Sequence, residues 1–223
     1  MCTIYAPWFG NIPFYGATFL YCCGLSKNIQ WVIHSDQQKP DYCPDNVNWT
    51  TIDLNDFRTR LLKIFNFLHI PDRQKWGHKL CDLKPFWHRL FDIGSDTPYV
   101  GWCDWDIVHN LSELDWKFTS AKFTTSSLCA PLFIQKTSTL LEVYPTRPYQ
   151  MLANPRTVSW CEHYYMPQVT DSTIMQSGMT PEVDLIEPVK YVVHMYKGKH
   201  DPKLYKQWTH QYLQGWDQFG CEL

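Results

Sequence analysis

The sequence predicts an α/β protein whose first half is a parallel sheet with crossover helices. Up to about residue 115, short apolar runs rich in β-branched residues alternate with stretches whose apolar residues recur at helical spacing. After that point the pattern is more mixed, and 145–190 is rich in Pro, Ser and Thr. No internal repeat or low-complexity linker divides the 223 residues, so a single domain spanning 1–223 is predicted.

The individual elements are predicted from hydrophobic period and from Gly, Pro and Asp breaks. Strands are expected at 2–6, 31–35, 47–52, near 119–124 and 129–135, at 99–103 and at 191–195. Helices are expected at 14–23, after residue 53, at 82–91, 137–144 and 205–213. Asp53 or Asn55 is a candidate N-cap for the second helix, and Pro85 suits the first turn of the third.

Composition excludes several classes of partner. The net charge of -2 offers nothing to recruit nucleic acid or an anionic membrane. No apolar run approaches the roughly 20 residues that span a bilayer. The nine Cys contain no C-x-x-C pair, and several lie in apolar runs, so we expect reduced thiols and a cytoplasmic location. Aromatic residues make up 16% of the chain, which fits either bulky core packing or sugar binding.

Asp104 and Asp106 carry the main chemical signal. They directly follow the apolar strand at 99–103, and residues two apart in an extended segment share one face, with Trp105 pointing away. Ligands of open α/β sheets bind outside the carboxyl ends of the strands. Two neighbouring carboxylates repel unless a cation lies between them, and Mg²⁺ or Mn²⁺ is the natural partner for oxygen ligands.

Three other interpretations remain open. Both aspartates could simply cap a segment at 107–114. A haloacid-dehalogenase-type phosphatase also places D-x-D after an apolar strand, although there the motif normally ends the first strand and is followed by Gly-Thr, where this chain has Ile107 and Val108. A Trp-rich, non-catalytic carbohydrate-binding module would bind glycan without a metal.

Two spaced motifs carry a family resemblance. Residues 78–85 read HKLCDLKP and residues 101–107 read GWCDWDI. The pattern K-L-C-D-x-K-P followed by C-D-x-D resembles a small group of glycosyltransferase-like proteins from bacteria and large DNA viruses (chlorovirus-like). Residues 4–11, IYAPWFGN, also resemble their first strand and loop, and the resemblance covers about 1–115 well.

The resemblance implies a GT-A fold, the Rossmann-like fold of nucleotide-diphospho-sugar transferases, with a mixed central sheet flanked by helices. It implies a nucleotide-sugar-binding half at 1–115 and an acceptor-binding half at 116–223. Asp104 would face the ribose and the metal, and Asp106 would be the main metal ligand. The other donor-site residues implied are Tyr5, Ala6 and Pro7 at the base and ribose, Asp36 at the uracil or ribose, and Lys79 and Asp82 near the nucleotide and sugar.

These donor-site roles each have a plainer alternative. Lys79 and Lys84 can be solvated lysines at a helix end, and we expect a ligand role less for Lys84 than for Lys79. Asp82 can be a helix N-cap.

A third metal ligand is expected near the end of the chain. Some GT-A enzymes use a late His, often in H-x-x-G-x-x-K, and here a strand ends at His194 before Lys197 and Lys199. The spacing differs from that pattern, so the choice between Lys197 and Lys199 as a diphosphate ligand stays open, with Lys199 the candidate. A shell of Asp and His favours Mn²⁺ somewhat over Mg²⁺.

The expected activity is metal-dependent transfer of a hexose or pentose from a UDP-sugar, or else a GDP-sugar, to a glycan or glycoprotein hydroxyl. An inverting enzyme needs a carboxylate base. Glu162, flanked by aromatic residues, is the first candidate and Asp171 the second, although each can be an ordinary surface acid. A cytoplasmic location would be host cytoplasm if the protein is viral.

Overall fold

The structure is a computed structural model, and it describes part of the 223-residue chain. The described residues are 2–64, 83–84, 87–91, 96–109, 111, 123–125, 132–137 and 192–194. The predicted helix at 205–213, and the one at 137–144 beyond its first residue, lie outside these ranges.

The elements within the described ranges largely match the predicted ones. In chain order they are β1 (Cys2–Tyr5), α1 (Gly16–Leu25), β2 (Ile29–Ser35), β3 (Val47–Thr51), α2 (Leu54–Ile64), α3 (Trp87–Leu90), β4 (Tyr99–Cys103), β5 (Ile107–His109), β6 (Phe123–Thr125), β7 (Leu132–Lys136) and β8 (Val192–His194). Asp53 is the cap of α2, because its Oδ1 accepts a hydrogen bond from the Asn55 amide at 2.7 Å.

Six strands form one mixed sheet in the order β3-β2-β1-β4-β7-β6. The first four are mutually parallel, whereas β7 runs antiparallel to both β4 and β6. A second, two-stranded antiparallel sheet joins β5 to β8. The predicted α/β class with a mixed central sheet is therefore confirmed.

The strand order creates a switch point beside β1. The chain moves outward from β1 through β2 to β3, then returns to place β4 on the other side of β1. Tyr5 lies opposite Val32 of β2 and Trp102 of β4. Connections on the two sides of such a point diverge and leave a crevice at the carboxyl ends of the strands. We call this the switch-point crevice, bounded by residues 5–8 after β1 and 104–106 after β4.

The core lies beneath this crevice. β1 is fully buried and β2 nearly so, as expected for strands paired on both sides, whereas β3 is a mostly exposed edge strand. Helix α1 buries seven of its ten residues, which explains why its sequence lacks a polar stripe. Phe19 and Trp31 meet edge to face in this core, with ring centroids 5.7 Å apart.

No helix separates β2 from β3, although the two strands are parallel. The connection at 36–46 is irregular, and Asn46 at its end binds it to the body. Asn46 Nδ2 donates to the carbonyl oxygens of Cys23, Ser26 and Ile29 at 2.8, 3.0 and 3.1 Å. One side chain thus connects the end of α1, the start of β2 and the start of β3.

Within the described residues, no helix has both the length and the apolar character needed to cross a bilayer. The five cysteines that the structure describes, Cys2, Cys22, Cys23, Cys43 and Cys103, are thiols. Burial raises the pKa of the Cys2, Cys23 and Cys103 thiols, so these three pack as small apolar groups.

Candidate active site

Asp104 and Asp106 follow β4 directly at the switch-point crevice. The segment is not the extended continuation that we predicted, because Trp105 and Asp106 form a turn before β5 starts at Ile107. Since 107–109 form a strand, the two aspartates do not cap a helix that starts at Ile107. The turn keeps both carboxylates at the edge where β1 and β4 end.

Trp105 packs into the core and fixes the turn. It is 3% exposed, and its indole Nε1 donates to the Ala6 carbonyl at 2.9 Å, which links the end of β4 to the end of β1. Its ring stacks on Phe19 with centroids 4.8 Å apart and lies 5.2 Å from the ring of Trp8. A large buried residue therefore determines where its two acidic neighbours lie.

The first residue of α1 leaves room for this indole. A Cβ added to Gly16 would lie 3.3 Å from Trp105 Cζ3 and 2.5 Å from Ile12 Cγ2. A side chain at this position would therefore displace one or both neighbours.

Lys84 forms an ion pair with Asp104 on both carboxylate oxygens. Its Nζ lies 2.9 Å from Oδ1 and 3.0 Å from Oδ2, and the two side chains are 2% and 27% exposed. A buried ammonium is tolerated only when it is paired in this way. One of the two carboxylates is therefore already neutralised by a cation that belongs to the protein.

Asp106 is buried, with 9% of its surface exposed, and it lies near Tyr15. Desolvation, followed by the negative charges of Asp106 and Asp104, raises the pKa of Tyr15 to about 12. Both carboxylates are therefore close enough to Tyr15 to act on its phenol. Tyr15 stays a neutral hydrogen-bonding group at any physiological pH.

The three residues predicted to line the nucleotide lie at the end of β1. Tyr5 and Ala6 are 3% and 0% exposed, and Pro7 is also buried. The Ala6 amide donates to the Val32 carbonyl at 2.9 Å, and burial raises the pKa of Tyr5 to about 12. They lie at the predicted edge of the sheet, and their contact with a nucleotide stays a prediction.

Asp36 follows β2 and holds the loop after β1. Its Oδ1 accepts a hydrogen bond from the Gly10 amide at 2.8 Å and another from Gln37 Nε2 at 3.1 Å. Gly10 has φ = 103°, a left-handed conformation that favours glycine. Asp36 thus has a structural role in addition to the ribose or uracil contact that the sequence predicts.

A column of stacked rings lies beside the ends of β1 and β2. Phe91 stacks on His34 at a centroid distance of 3.9 Å, on Phe57 at 5.5 Å and on Tyr5 at 6.5 Å. Phe9 continues the column on Phe57 at 4.7 Å. Burial and, to a smaller degree, the charge of Arg60 lower the pKa of His34 to about 4.

His194 comes close to the acidic turn through backbone pairing. In the β5–β8 ladder its Cα is the partner of Ile107, the residue after Asp106. Directly opposed residues of an antiparallel pair lie about 5 Å apart. The remaining predicted site residues lie outside the described ranges: Lys79, Asp82, Glu162, Asp171 and Lys199.

A comparison with known protein families finds one match. Residues 4–115, half of the chain, match the family described as "Family of unknown function (DUF6625)". The chain belongs to this family. The matched region of this DUF6625 protein starts in β1 and ends just after β5, so it includes every wall of the switch-point crevice described above. A search of curated proteins finds no match.

Among solved structures, the DUF6625 chain is similar to two sugar transferases. Mouse xyloside xylosyltransferase 1, in its apo form, matches with 11% identity and a TM-score of 0.42, over 92% of this chain and 84% of the other. The galactosyltransferase LgtC, in complex with donor and acceptor sugar analogs, matches with 9% identity and a TM-score of 0.48, over 100% of both chains. TM-scores below 0.5 do not establish a common fold, so a function has to come from the residues of the site.

Sequence reasoning missed two residues of the DUF6625 site. Lys84, for which a ligand role was expected less than for Lys79, pairs with Asp104, whereas Lys79 lies outside the described residues; Tyr15 was predicted only as part of a helix. Leu83 and Trp87, close to Lys84 in sequence, are both buried, a setting that the folded structure reveals. A lysine between buried neighbours needs a buried anion.

The donor atoms at this DUF6625 site suit a hard divalent cation. Asp104 and Asp106 supply carboxylate oxygens, which Mg²⁺ and Mn²⁺ prefer. Within the ranges that the structure describes, no three His, Cys, Asp or Glu side chains come together as a complete ligand set. Further ligands would have to come from water, the diphosphate or His194, whose backbone lies beside the turn.

Proposed function

We propose that this protein is a metal-dependent glycosyltransferase of the GT-A type. It transfers a hexose or pentose from a nucleotide-diphosphate sugar to a hydroxyl of a glycan or glycoprotein. UDP-sugars are the first candidate donors and GDP-sugars the second, because the sequence resemblance favours uridine at Asp36. The whole chain, 1–223, acts as one domain, with the donor bound by 1–115 and the acceptor by 116–223.

The observation that carries this proposal is the charged group Lys84, Asp104 and Asp106 at the switch-point crevice. In open α/β sheets this crevice is where nucleotides bind. A nucleotide diphosphate brings two or more negative charges, which a purely acidic edge would repel. A buried lysine beside two carboxylates offers both a fixed positive charge and oxygen ligands for a cation.

Each group then has a defined role. Asp106 is the main metal ligand, Asp104 faces the ribose and the metal, and His194 is the expected third ligand. The bound cation would neutralise charge on the diphosphate as it leaves. Lys84 holds Asp104 in place, and Tyr15, whose pKa is raised by burial and then by the charges of Asp106 and Asp104, presents a protonated phenol near them.

The remaining assignments are taken from the sequence. Tyr5, Ala6, Pro7 and Asp36 border the nucleotide, which fits their location at the ends of β1 and β2. The other donor-site residues are Lys79, Asp82 and Lys199. Glu162, or else Asp171, is the base of an inverting reaction. These three donor-site residues and the two candidate bases lie outside the described ranges.

The first test measures metal-dependent donor binding. Purified protein is screened by thermal shift against UDP, GDP and their sugars, with Mn²⁺ or with EDTA. A ligand that binds the native state raises Tm by mass action. At a ligand concentration of one hundred times Kd, the free energy of unfolding rises by about 2.7 kcal/mol. We expect stabilisation by UDP or a UDP-sugar only in the presence of Mn²⁺.

The matched variants are Asp106→Asn and Asp41→Asn, the second being an exposed acid distant in sequence from the motif. Asp106→Asn should abolish the Mn²⁺-dependent shift without changing the far-UV circular dichroism, whereas Asp41→Asn should keep it. If Asp106→Asn binds nucleotide as well as the parent does, the donor site lies elsewhere. Transfer to a glycan acceptor is then measured with the donor that the screen identifies.

A further inference from the structure

The Nζ atom of Lys84 occupies the position that a divalent cation would take if both carboxylate oxygens of Asp104 bound it. This Nζ is nearly equidistant from the two oxygens, at 2.9 and 3.0 Å, so it occupies the position between them. A divalent ion that chelated Asp104 would need this same position. Two cations cannot share it, because they repel each other strongly at such a separation.

The burial of Lys84 makes this arrangement persistent. Only 2% of the lysine side chain is exposed, against 27% of Asp104. An exposed lysine could swing into water at little cost when a metal arrives, but a buried ammonium that moves away from Asp104 does not reach solvent. The pair therefore resists a metal more strongly than a surface pair would.

We propose that Lys84 is a resident counter-ion that competes with the divalent cation for Asp104 and thereby lowers the metal affinity of the site. Lys84 is then a positioning residue that sets how much metal the site needs before it fills. The inference rests on the proposed function only in taking a divalent cation as the ligand. It concerns Mn²⁺ alone, so it can be tested whether or not any sugar donor binds.

The experiment titrates the full chain with Mn²⁺, without nucleotide, and follows free Mn²⁺ by electron paramagnetic resonance. Lys84→Met keeps the apolar stem and removes the charge, while Lys63→Met makes the same change at an exposed lysine of α2. We expect Lys84→Met to bind Mn²⁺ at least about tenfold more tightly than the parent, because one like charge has left the site. Lys63→Met should bind as the parent does.

A double variant assigns the gain to Asp104. Lys84→Met combined with Asp104→Asn removes both members of the pair, and it should lose the tenfold gain. If Lys84→Met does not fold, Lys84→Gln replaces it, since the amide can still donate to Asp104 and the charge is absent. Circular dichroism melts establish the fold of each variant.

Three results would overturn the inference. The first is unchanged or weaker Mn²⁺ binding by the folded Lys84 variant, and the second is a gain that persists in the double variant. The third is a lack of Mn²⁺ binding by every variant. Failure of the proposed function has a different signature, since it leaves the Mn²⁺ comparison intact and shows no Mn²⁺-dependent stabilisation by nucleotide.

Discussion

His34 is a buried imidazole whose protonation opposes folding. Burial and the charge of Arg60 lower its pKa from 6.5 to about 4, so between these values the unfolded chain binds a proton that the folded chain does not. Stability contributed by neutral His34 is therefore complete above pH 6.5 and is lost as the pH falls towards 4. A shift of this size corresponds to on the order of 3 kcal/mol.

Urea unfolding of the parent and of His34→Phe from pH 4.5 to 7 measures this effect. The Phe ring can keep the stack on Phe91, and His34 Nδ1 has no hydrogen-bond partner among the described groups that would be lost. The parent should lose more free energy of unfolding than the variant over this range. If the free energy of unfolding changes equally with pH in the two proteins, the pKa of His34 is not lowered by folding and the prediction is wrong.

Asp36 should stabilise the loop after β1. Asp36→Ala removes the acceptor for the Gly10 amide and for Gln37, so we expect a loss of about 1–3 kcal/mol in the free energy of unfolding. Asp41→Ala, at an exposed position in the next loop, is the control and should cost less than about 0.5 kcal/mol. Equal losses would mean that the loop does not depend on Asp36.

The residues of the acidic turn show what sequence can and cannot predict at this scale. That Asp104 and Asp106 follow a buried strand was predictable from period and hydrophobicity, but the turn at Trp105 and Asp106 and the packing of Trp105 in the core were not. The pairing of Lys84 with Asp104 was not predictable, because a lysine's charge is the same whether it is solvated or buried, and only the fold shows that Lys84 is buried. Tyr15 was missed for the same reason, since nothing local connects it to residues some ninety positions later.

Asn46 joins three elements and should matter at the element scale. Asn46→Ala leaves three main-chain carbonyl groups, those of Cys23, Ser26 and Ile29, without this donor. We expect a loss of roughly 1–2 kcal/mol in the free energy of unfolding, because the side-chain hydrogen bonds are lost while the Cys23 and Ser26 carbonyls keep the Ser26 and Ile29 amides as donors. Asn48→Ala, on the exposed face of β3, should change it by less than about 0.5 kcal/mol.

Element boundaries were predicted best where one local signal dominates. The strand at 99–103 was placed correctly because an apolar run meets two acids, and β1 and β3 each differ by one residue. Helix α1 starts and ends two residues later than predicted, since its apolar sequence has no polar face to mark its limits. Residues 107–109 form a strand by pairing with β8, which is distant in sequence. No local sequence pattern predicts this strand.

For the whole molecule, the order of the sheet bears on the phosphatase alternative. The acidic motif follows β4, the fourth strand among the described residues, which pairs with β1 at the switch point. A generic aryl phosphate should therefore not be hydrolysed at a rate above background, with Mg²⁺ present. Brisk turnover that Asp104→Asn abolishes would instead identify Asp104 as a phosphatase nucleophile.

The parallel half of the sheet followed from the alternation of strands and helices, but its mixed character did not. The antiparallel strands β7 and β6 come from the region where the sequence pattern becomes irregular. Strand order is set by packing between distant segments, such as the Trp105 indole on the Ala6 carbonyl, about a hundred residues apart. Local patterns carry no information about such pairs.

The close approach of Gly16 to Trp105 has a consequence for how this family can diverge. A side chain at position 16 would displace Ile12, at 2.5 Å, and would also press on the Trp105 indole, at 3.3 Å, which has an aspartate on either side in sequence. Helix α1 and the acidic turn are therefore not independent in evolution. Family members with a larger residue at the position of Gly16 should carry a smaller residue at the position of Trp105, between the two acids. In this chain, a larger residue at 16 or a smaller one at 105 should each lower stability, and the two changes together should restore it.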